Sequence, residues 1–252
     1  MKKGIFVYNS LSGNRRISGK IDYIFRKFQL SDILLQPYSF CGPDDDRILQ
    51  LFKNEKYDFL LVSGGDGTIN YAANLILKNN LDIPLGLIPA GTCNDFARSL
   101  KIPLSVKECV DIVINGKTRK VDVGLINGNR YFLNTCAGGQ FVDVSFSTNN
   151  ELKRNLGQLA YYLKAVTEVA NVKNHRLKVQ TENSVIVEDV LLFLIVNGKD
   201  AAGLTNIVSD ADVSDGLMDI LLIKSCKHID MAGLLIKALR NESLNDRNVI
   251  KL

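Results

Sequence analysis

Two classes of metal-binding residue are scarce in this chain. It has only two histidines, His175 and His228, and its five cysteines (Cys41, Cys93, Cys109, Cys136 and Cys226) form no Cys-x-x-Cys pair. Neither a zinc centre nor a disulfide framework is expected, and scattered free thiols point to a reducing, cytoplasmic compartment. No apolar run is longer than Val190 to Val196, far too short for a helix across a bilayer. Lys2 and Lys3 are followed only by strand-like Gly4 to Tyr8 before polar Asn9, so no signal-peptide core is expected and the chain reads as soluble. There is no Walker loop of the form Gly-x-x-x-x-Gly-Lys-Ser/Thr and no Gly-x-Gly-x-x-Gly fingerprint. No basic stripe interleaved with aromatics appears either, so no nucleic-acid partner is expected.

What is present is an ordinary globular composition. The 252 residues are 46% hydrophobic and 23% charged, enough for one large domain or two small ones. The net charge of +4 is unevenly spread: residues 1–30 carry seven Lys/Arg against Asp22 alone. Residues 151–178 carry six Lys/Arg against Glu151 and Glu168. A solvated basic surface is the plainer account. Attraction to phosphates or to acidic lipid headgroups is the functional one.

The chain is organised around Leu60-Leu61-Val62-Ser63-Gly64-Gly65-Asp66-Gly67-Thr68-Ile69-Asn70. An apolar run from Phe59 stops at two glycines, and from Thr68 apolar residues recur at Ile69, Ala72, Ala73, Ile76 and Leu77, the period of a helix. A buried strand, a tight turn and a helix N-terminus make an anion site, because free N–H groups and the positive helix end converge there. A carboxylate at its centre, Asp66, is useful mainly beside a metal ion or a hydroxyl, so a nucleoside triphosphate with Mg²⁺ is the first expectation.

Two more strands end in similar turns: Ile5 to Tyr8 runs into Asn9-Ser10-Leu11-Ser12-Gly13-Asn14, and Ile83 to Ile88 into Pro89-Ala90-Gly91-Thr92-Cys93-Asn94-Asp95-Phe96-Ala97-Arg98. Thr92 and Asn94 are placed to cap the short helix that follows. Asp44, Asp45 and Asp46 are expected in the first turn of another helix, complementing its dipole. Strand and helix alternate through residue 115, predicting a mainly parallel sheet covered on both faces, with ligands at the strand ends. Past residue 117 the pattern changes. Lys120 to Leu125 and Tyr131 to Cys136 read as a hairpin across Asn127-Gly128. A helix is expected over Leu156 to Val172, with strands at Leu177 to Thr181, Val185 to Val187, Val190 to Val196 and Leu217 to Ile223. A helix over Ile229 to Leu239 and the start of a strand at Asn248 to Leu252 close the chain. The expected architecture is α/β: a three-layer nucleotide-binding domain over 1–120, then a β-rich, sandwich-like domain over 121–252.

The three strand-end motifs, with Ala137-Gly138-Gly139-Gln140-Phe141 and Asp215-Gly216-Leu217-Met218-Asp219, resemble the diacylglycerol kinase catalytic-domain family, soluble lipid kinases of bacteria related to sphingosine and ceramide kinases. The resemblance covers essentially the whole chain. It implies two domains with ATP in the cleft between them, and a lipid hydroxyl as acceptor, diacylglycerol before other lipids. Carried over, it assigns Asn9, Ser10, Leu11, Ser12, Gly13, Ser39, Gly64, Gly65, Asp66, Gly67, Thr68, Ile69, Asn70 and Thr92 to the ATP site. Asp66, Asp95 and Asp122 would hold catalytic Mg²⁺ through water. A structural Mg²⁺ would sit on the Asp215 carboxylate and the main-chain oxygens of Asp212 and Leu217. The implied protein is cytoplasmic, touches an anionic membrane surface transiently, and is compatible with a homodimer.

The chain departs from the family pattern in three places. Ser10 replaces a proline, Ser209-Asp210-Ala211 replaces Pro-x-Ala, and the family's Asp-Gly-Glu segment, whose glutamate is taken as general base, is expected beyond Leu252. A truncated, catalytically silent relative that still binds nucleotide or lipid is therefore the alternative. A third reading, a small-molecule kinase such as an NAD kinase, is opposed by Asn94-Asp95-Phe96.

Overall fold

The computed structural model describes residues 1–10, 12, 17–42, 45–139 and 174–252. The chain forms two compact units, Met1–Leu133 and Asn134–Leu252, so residues 121–133 belong to the first.

In the first unit four strands lie parallel in the order β2 (Ile33–Ser39), β1 (Lys2–Tyr8), β3 (Phe59–Gly64), β4 (Leu85–Pro89). Side chains alternate between the two faces of a strand, and both faces here are apolar. On one face Ile5, Val7, Leu60, Val62 and Leu87 pack with Ile48 of α2 (Ile48–Asn54) and with Ile69, Ala72 and Ala73 of α3 (Asp66–Lys78). On the other, Phe6, Leu61 and Ile88 pack with Ile24 and Phe28 of α1 (Ile21–Gln29) and with Cys109 and Val110 of α5 (Val106–Asn115). β3 is buried along its whole length. Each large side chain so buried contributes about 1.5–3 kcal/mol, and the expected three-layer parallel arrangement follows.

The register aligns Tyr8, Ser63 and Ile88 side by side, so three strands end at one edge. The turns beyond them are tied together: the Asn9 N–H donates to the Ser63 carbonyl at 2.9 Å and the Ala90 N–H to the Gly64 carbonyl at 2.8 Å. A short helix α4 (Asp95–Ser99) follows β4, and a small antiparallel pair, β5 (Gly124–Ile126) and β6 (Arg130–Phe132), ends the unit. Asn127 and Gly128 both take left-handed backbone between those strands, as the Asn-Gly turn predicts.

The second unit holds a five-stranded antiparallel sheet of β7 (Thr135–Gly139), β8 (His175–Gln180), β9 (Val185–Val196), β10 (Asp219–Lys224) and β11 (Val249–Lys251). Helix α6 (His228–Leu239) packs Met231 and Leu234 against Leu191 and Ile223. The final residues do form a strand, which pairs Ile250 with Leu222. Among the described residues no helix is long and apolar enough to cross a membrane.

Several expectations need correction. Tyr131 to Cys136 is not one strand: β6 pairs with β5, whereas β7 begins at Thr135 and pairs with β9. Val185–Val187 and Val190–Val196 are one continuous strand, because exposed Asp189 and partly exposed Glu188 lie where β9 pairs only with β8 on one side. The acidic run does not open a helix. α2 starts at Ile48 with no acidic residue in its first turn, because Asp45 is held by Tyr38 and Arg47 instead. Asp44, and the helix expected over Leu156 to Val172, lie outside the described residues.

Candidate active site

The junction of β3 and α3 is the centre of the candidate site. Gly65 is the N-cap residue of α3, and its carbonyl accepts the N–H groups of Thr68 at 2.9 Å and Ile69 at 3.0 Å. The N–H groups ahead of them have no carbonyl one turn back, which leaves them for a ligand. Glycine is required here by close approach. A Cβ on Gly64 would stand 2.5 Å from the Thr68 Cβ, and one on Gly91 would stand 2.5 Å from the Gly65 Cα. The β3 and β4 turns therefore meet backbone to backbone.

Around this contact the polar groups are fixed. The Asp66 carboxylate, half-buried at the first position of α3, accepts the Phe96 N–H at 3.2 Å and so joins α3 to α4. Asp95 is 5% exposed, and Arg98 donates to it at 2.6 Å and to the Cys93 carbonyl at 2.8 Å. Asn94 is not the side-chain cap expected of it. Its backbone is left-handed, at φ 53°, which turns the amide back onto Gly91: it accepts the Gly91 N–H at 2.8 Å and donates to the Gly91 carbonyl at 3.0 Å. Thr92 is exposed between them and makes no cap either.

From the first strand, the Asn9 amide donates to the Thr68 hydroxyl at 3.3 Å, and the Ser12 N–H donates to the Asn9 carbonyl at 3.2 Å. Leu11 and Gly13 lie outside the described residues. Ser39 ends β2 beside Tyr8. Gly67 is exposed. Ile69 is a core residue, 0% exposed, so only its backbone faces the turn. Asn70 has its Oδ1 on the Leu133 N–H at 3.2 Å.

Beyond Ser39, Tyr38 donates to the Asp45 carboxylate at 2.8 Å, Arg47 to the same group at 2.6 Å and 3.0 Å, and the Tyr71 hydroxyl to the Asp45 carbonyl at 2.8 Å. Hydrogen bonds from Arg47 and then Tyr38 hold the Asp45 carboxyl well below the usual carboxylate range. Burial first, then the Asp45 hydrogen bond, push the Tyr38 hydroxyl up to about 12.

In the second unit the candidate metal loop is exposed at Asp212, Asp215 and Leu217. The Asp215 carboxylate accepts the Leu217 N–H at 2.9 Å, while Asp212 accepts the Ser214 N–H at 3.0 Å and hydroxyl at 2.8 Å. Burial first, then the charges of Asp215 and Asp210, raise Asp219 above the ordinary carboxylate value.

Residues 3–126 match the family described as the diacylglycerol kinase catalytic domain, and residues 139–252 match the YegS C-terminal NAD kinase beta sandwich-like domain. A diacylglycerol kinase of Bacillus subtilis is 30% identical over 99% of this chain and 83% of its own length. The chain belongs to the diacylglycerol kinase family. A diacylglycerol kinase of Staphylococcus carnosus is 31% identical over 99% of the chain and 81% of its own length. A crystal structure of a diacylglycerol kinase from Bacillus anthracis covers all of the chain and 83% of its own, at 25% identity and a TM-score of 0.76. The protein is accordingly a diacylglycerol kinase-like kinase.

The glycine turns leave backbone N–H groups beside the Asp66 carboxylate, an arrangement that could hold the phosphates of a nucleotide. Among the described residues no three His, Cys, Asp or Glu side chains gather as direct metal ligands. Asp66, Asp95 and Asp122 are thus not a direct ligand set. Mg²⁺ keeps several waters and takes one or two carboxylates plus substrate phosphates, so these residues could hold it only through water and with a bound phosphate. Three features were missed by sequence reasoning: the Arg98 hold on Asp95, the Asp45 cluster and the grip of Asn74 on Tyr131. Only the first left a signal, an acid and a base three residues apart on one helix.

Proposed function

We propose that this kinase transfers the γ-phosphoryl group of ATP, with Mg²⁺, to the hydroxyl of diacylglycerol, giving phosphatidate. One observation carries the reading. The Gly65 and Gly91 turns touch, and the Asp66 carboxylate stands between the helices that those turns begin. Phosphoryl transfer depends on positioning and charge neutralisation, and this junction can supply both. The N–H groups at the start of α3, with Asn9, Ser10, Leu11, Ser12, Gly13, Ser39 and Thr92, would bind the nucleotide. Asp66, Asp95 and Asp122 would hold Mg²⁺ through water. When bound, that ion spreads the charge of the phosphate oxygens. A second, structural Mg²⁺ would be held by Asp215 and the main-chain oxygens of Asp212 and Leu217.

An acceptor with one hydroxyl on an apolar body requires work at a bilayer surface from the cytoplasmic side. Lys2, Lys20, Arg26 and Lys27 would add about 1 kcal/mol each near an anionic surface, whereas Lys3 is paired with Glu55. Nucleotide binding is assigned to the first unit and lipid contact to the second, and a homodimer is compatible with both.

The test offers γ-labelled ATP and Mg²⁺ to the protein with vesicles carrying diacylglycerol, phosphatidylglycerol, a polyprenol or sphingosine, and with NAD in solution. Label should enter phosphatidate fastest. Label in NAD, or in a different lipid at a higher rate, would refute the assignment.

A further inference from the structure

Helix α3 serves the nucleotide junction with its first turn and holds a strand with its middle. The Asn74 Nδ2 donates to the Tyr131 carbonyl at 2.8 Å, and its Oδ1 accepts the Tyr131 N–H at 2.9 Å. The same Nδ2 reaches the Asn70 carbonyl at 2.9 Å, and the Asn70 Oδ1 accepts the Leu133 N–H at 3.2 Å. The amide orientation of Asn74 is fixed by these partners, since a carbonyl only accepts. One side chain thus engages both backbone groups of a strand residue, as a neighbouring strand would. The other edge of β6 pairs with β5, Gly124 facing Phe132. The Phe132 ring fills the space that a Cβ on Gly124 would occupy, which locks that register. A two-stranded hairpin this short has little stability alone, and α3 supplies its third edge.

The hairpin matters because of what precedes it. Asp122 stands just before Gly124, within about 7 Å of chain. Its neighbours Val121 and Val123 pack on the core cluster that includes Ile69, Ala72 and Ala73 of α3. Asp66 and Asn74 lie on the same helix, about 12 Å apart along its axis. We infer that Asn74, seconded by Asn70, is a positioning residue of the kinase: it fixes the hairpin, and with it Asp122, against the helix that carries Asp66. The inference rests on the MgATP role proposed for Asp66 and Asp122.

The test compares the wild type with Asn74→Ala and with Asn79→Ala, whose amide donates to the Leu75 carbonyl at 2.8 Å near the end of α3. Hydrogen exchange over residues 120–133 reports the hairpin. Mn²⁺ affinity in the presence of a non-hydrolysable ATP analogue reports the carboxylates without requiring turnover. Asn74→Ala should speed that exchange and weaken Mn²⁺ binding by about tenfold, the low end of the loss seen when a group bonded directly to a metal ligand is removed, because Asn74 acts on Asp122 through the hairpin. Affinity for the metal-free analogue should change by less than about twofold, as binding that needs no carboxylate requires. Asn79→Ala should match the wild type throughout. If Asn74→Ala does not fold, Asn74→Ser, whose shorter hydroxyl cannot reach both the Tyr131 N–H and carbonyl, carries the same comparison. Equal Mn²⁺ affinity in the wild type and the folded variant overturns this inference alone. A wild type that binds no Mn²⁺ with the analogue overturns the MgATP reading and this inference with it.

Discussion

The Asp66 carboxylate accepts the Phe96 N–H at 3.2 Å, so the first residue of α3 is bonded to the first turn of α4. That bond is made by an oxygen, and it does not need the charge. Asp66→Asn should therefore unfold in urea within about 0.5 kcal/mol of the wild type, whereas Asp66→Ala, which loses the acceptor, should lose about 1 kcal/mol. Equal losses in both variants would mean that the charge holds the helices together.

The contact between Gly65 and Gly91 leaves no room for a methyl group. Gly91→Ala puts a carbon 2.5 Å from the Gly65 Cα and must push the β3 and β4 turns apart. It should cost about 1–3 kcal/mol of stability by overpacking and should raise the KM for ATP more than the KM for lipid. Gly67→Ala, where a Cβ meets nothing within 4 Å, is the control and should be far milder in stability.

Much of this was legible in the sequence and some was not, for reasons of distance along the chain. The β3–α3 junction and Asp66 could be read because strand, turn and helix are contiguous and each has its own period. The Gly65–Gly91 contact could not, since nothing in either turn specifies its partner. Asn94 looked like an N-cap by residue type, but a left-handed backbone sends its amide to Gly91. Asp45 looked like a dipole partner, and Tyr38 and Arg47 took it. The change of sheet between Phe132 and Thr135 was invisible because strand-like residues continue while the partner changes from β5 to β9.

The Asp45 cluster makes a prediction about acid stability. Its folded-state carboxyl is held below the ordinary value by Arg47 and Tyr38. The stability it contributes is present above the unfolded value of about 3.9 and is lost as pH falls toward the folded one. Asp45→Asn should therefore be less stable than the wild type at pH 7, and the two should converge as pH drops below about 4. Thermal melts across that range check it, and a gap independent of pH would contradict it.

The loop bearing Asp215 should bind Mg²⁺ independently of nucleotide. At a hundredfold excess over Kd the ion should stabilise the wild type by about 2.7 kcal/mol, and Asp215→Asn should show no such gain. A gain of the same size in that variant would remove the second-unit site.

The central claim is that Asp66 organises MgATP for transfer to a lipid. The direct measurement is phosphatidate formed from γ-labelled ATP on diacylglycerol vesicles by the wild type and by Asp66→Asn, with Mg²⁺ and with chelator. The wild type should form phosphatidate only with Mg²⁺, and Asp66→Asn should be slower by about a hundredfold or more while remaining folded. Equal rates in the two proteins, or phosphatidate formed in chelator, would contradict the account.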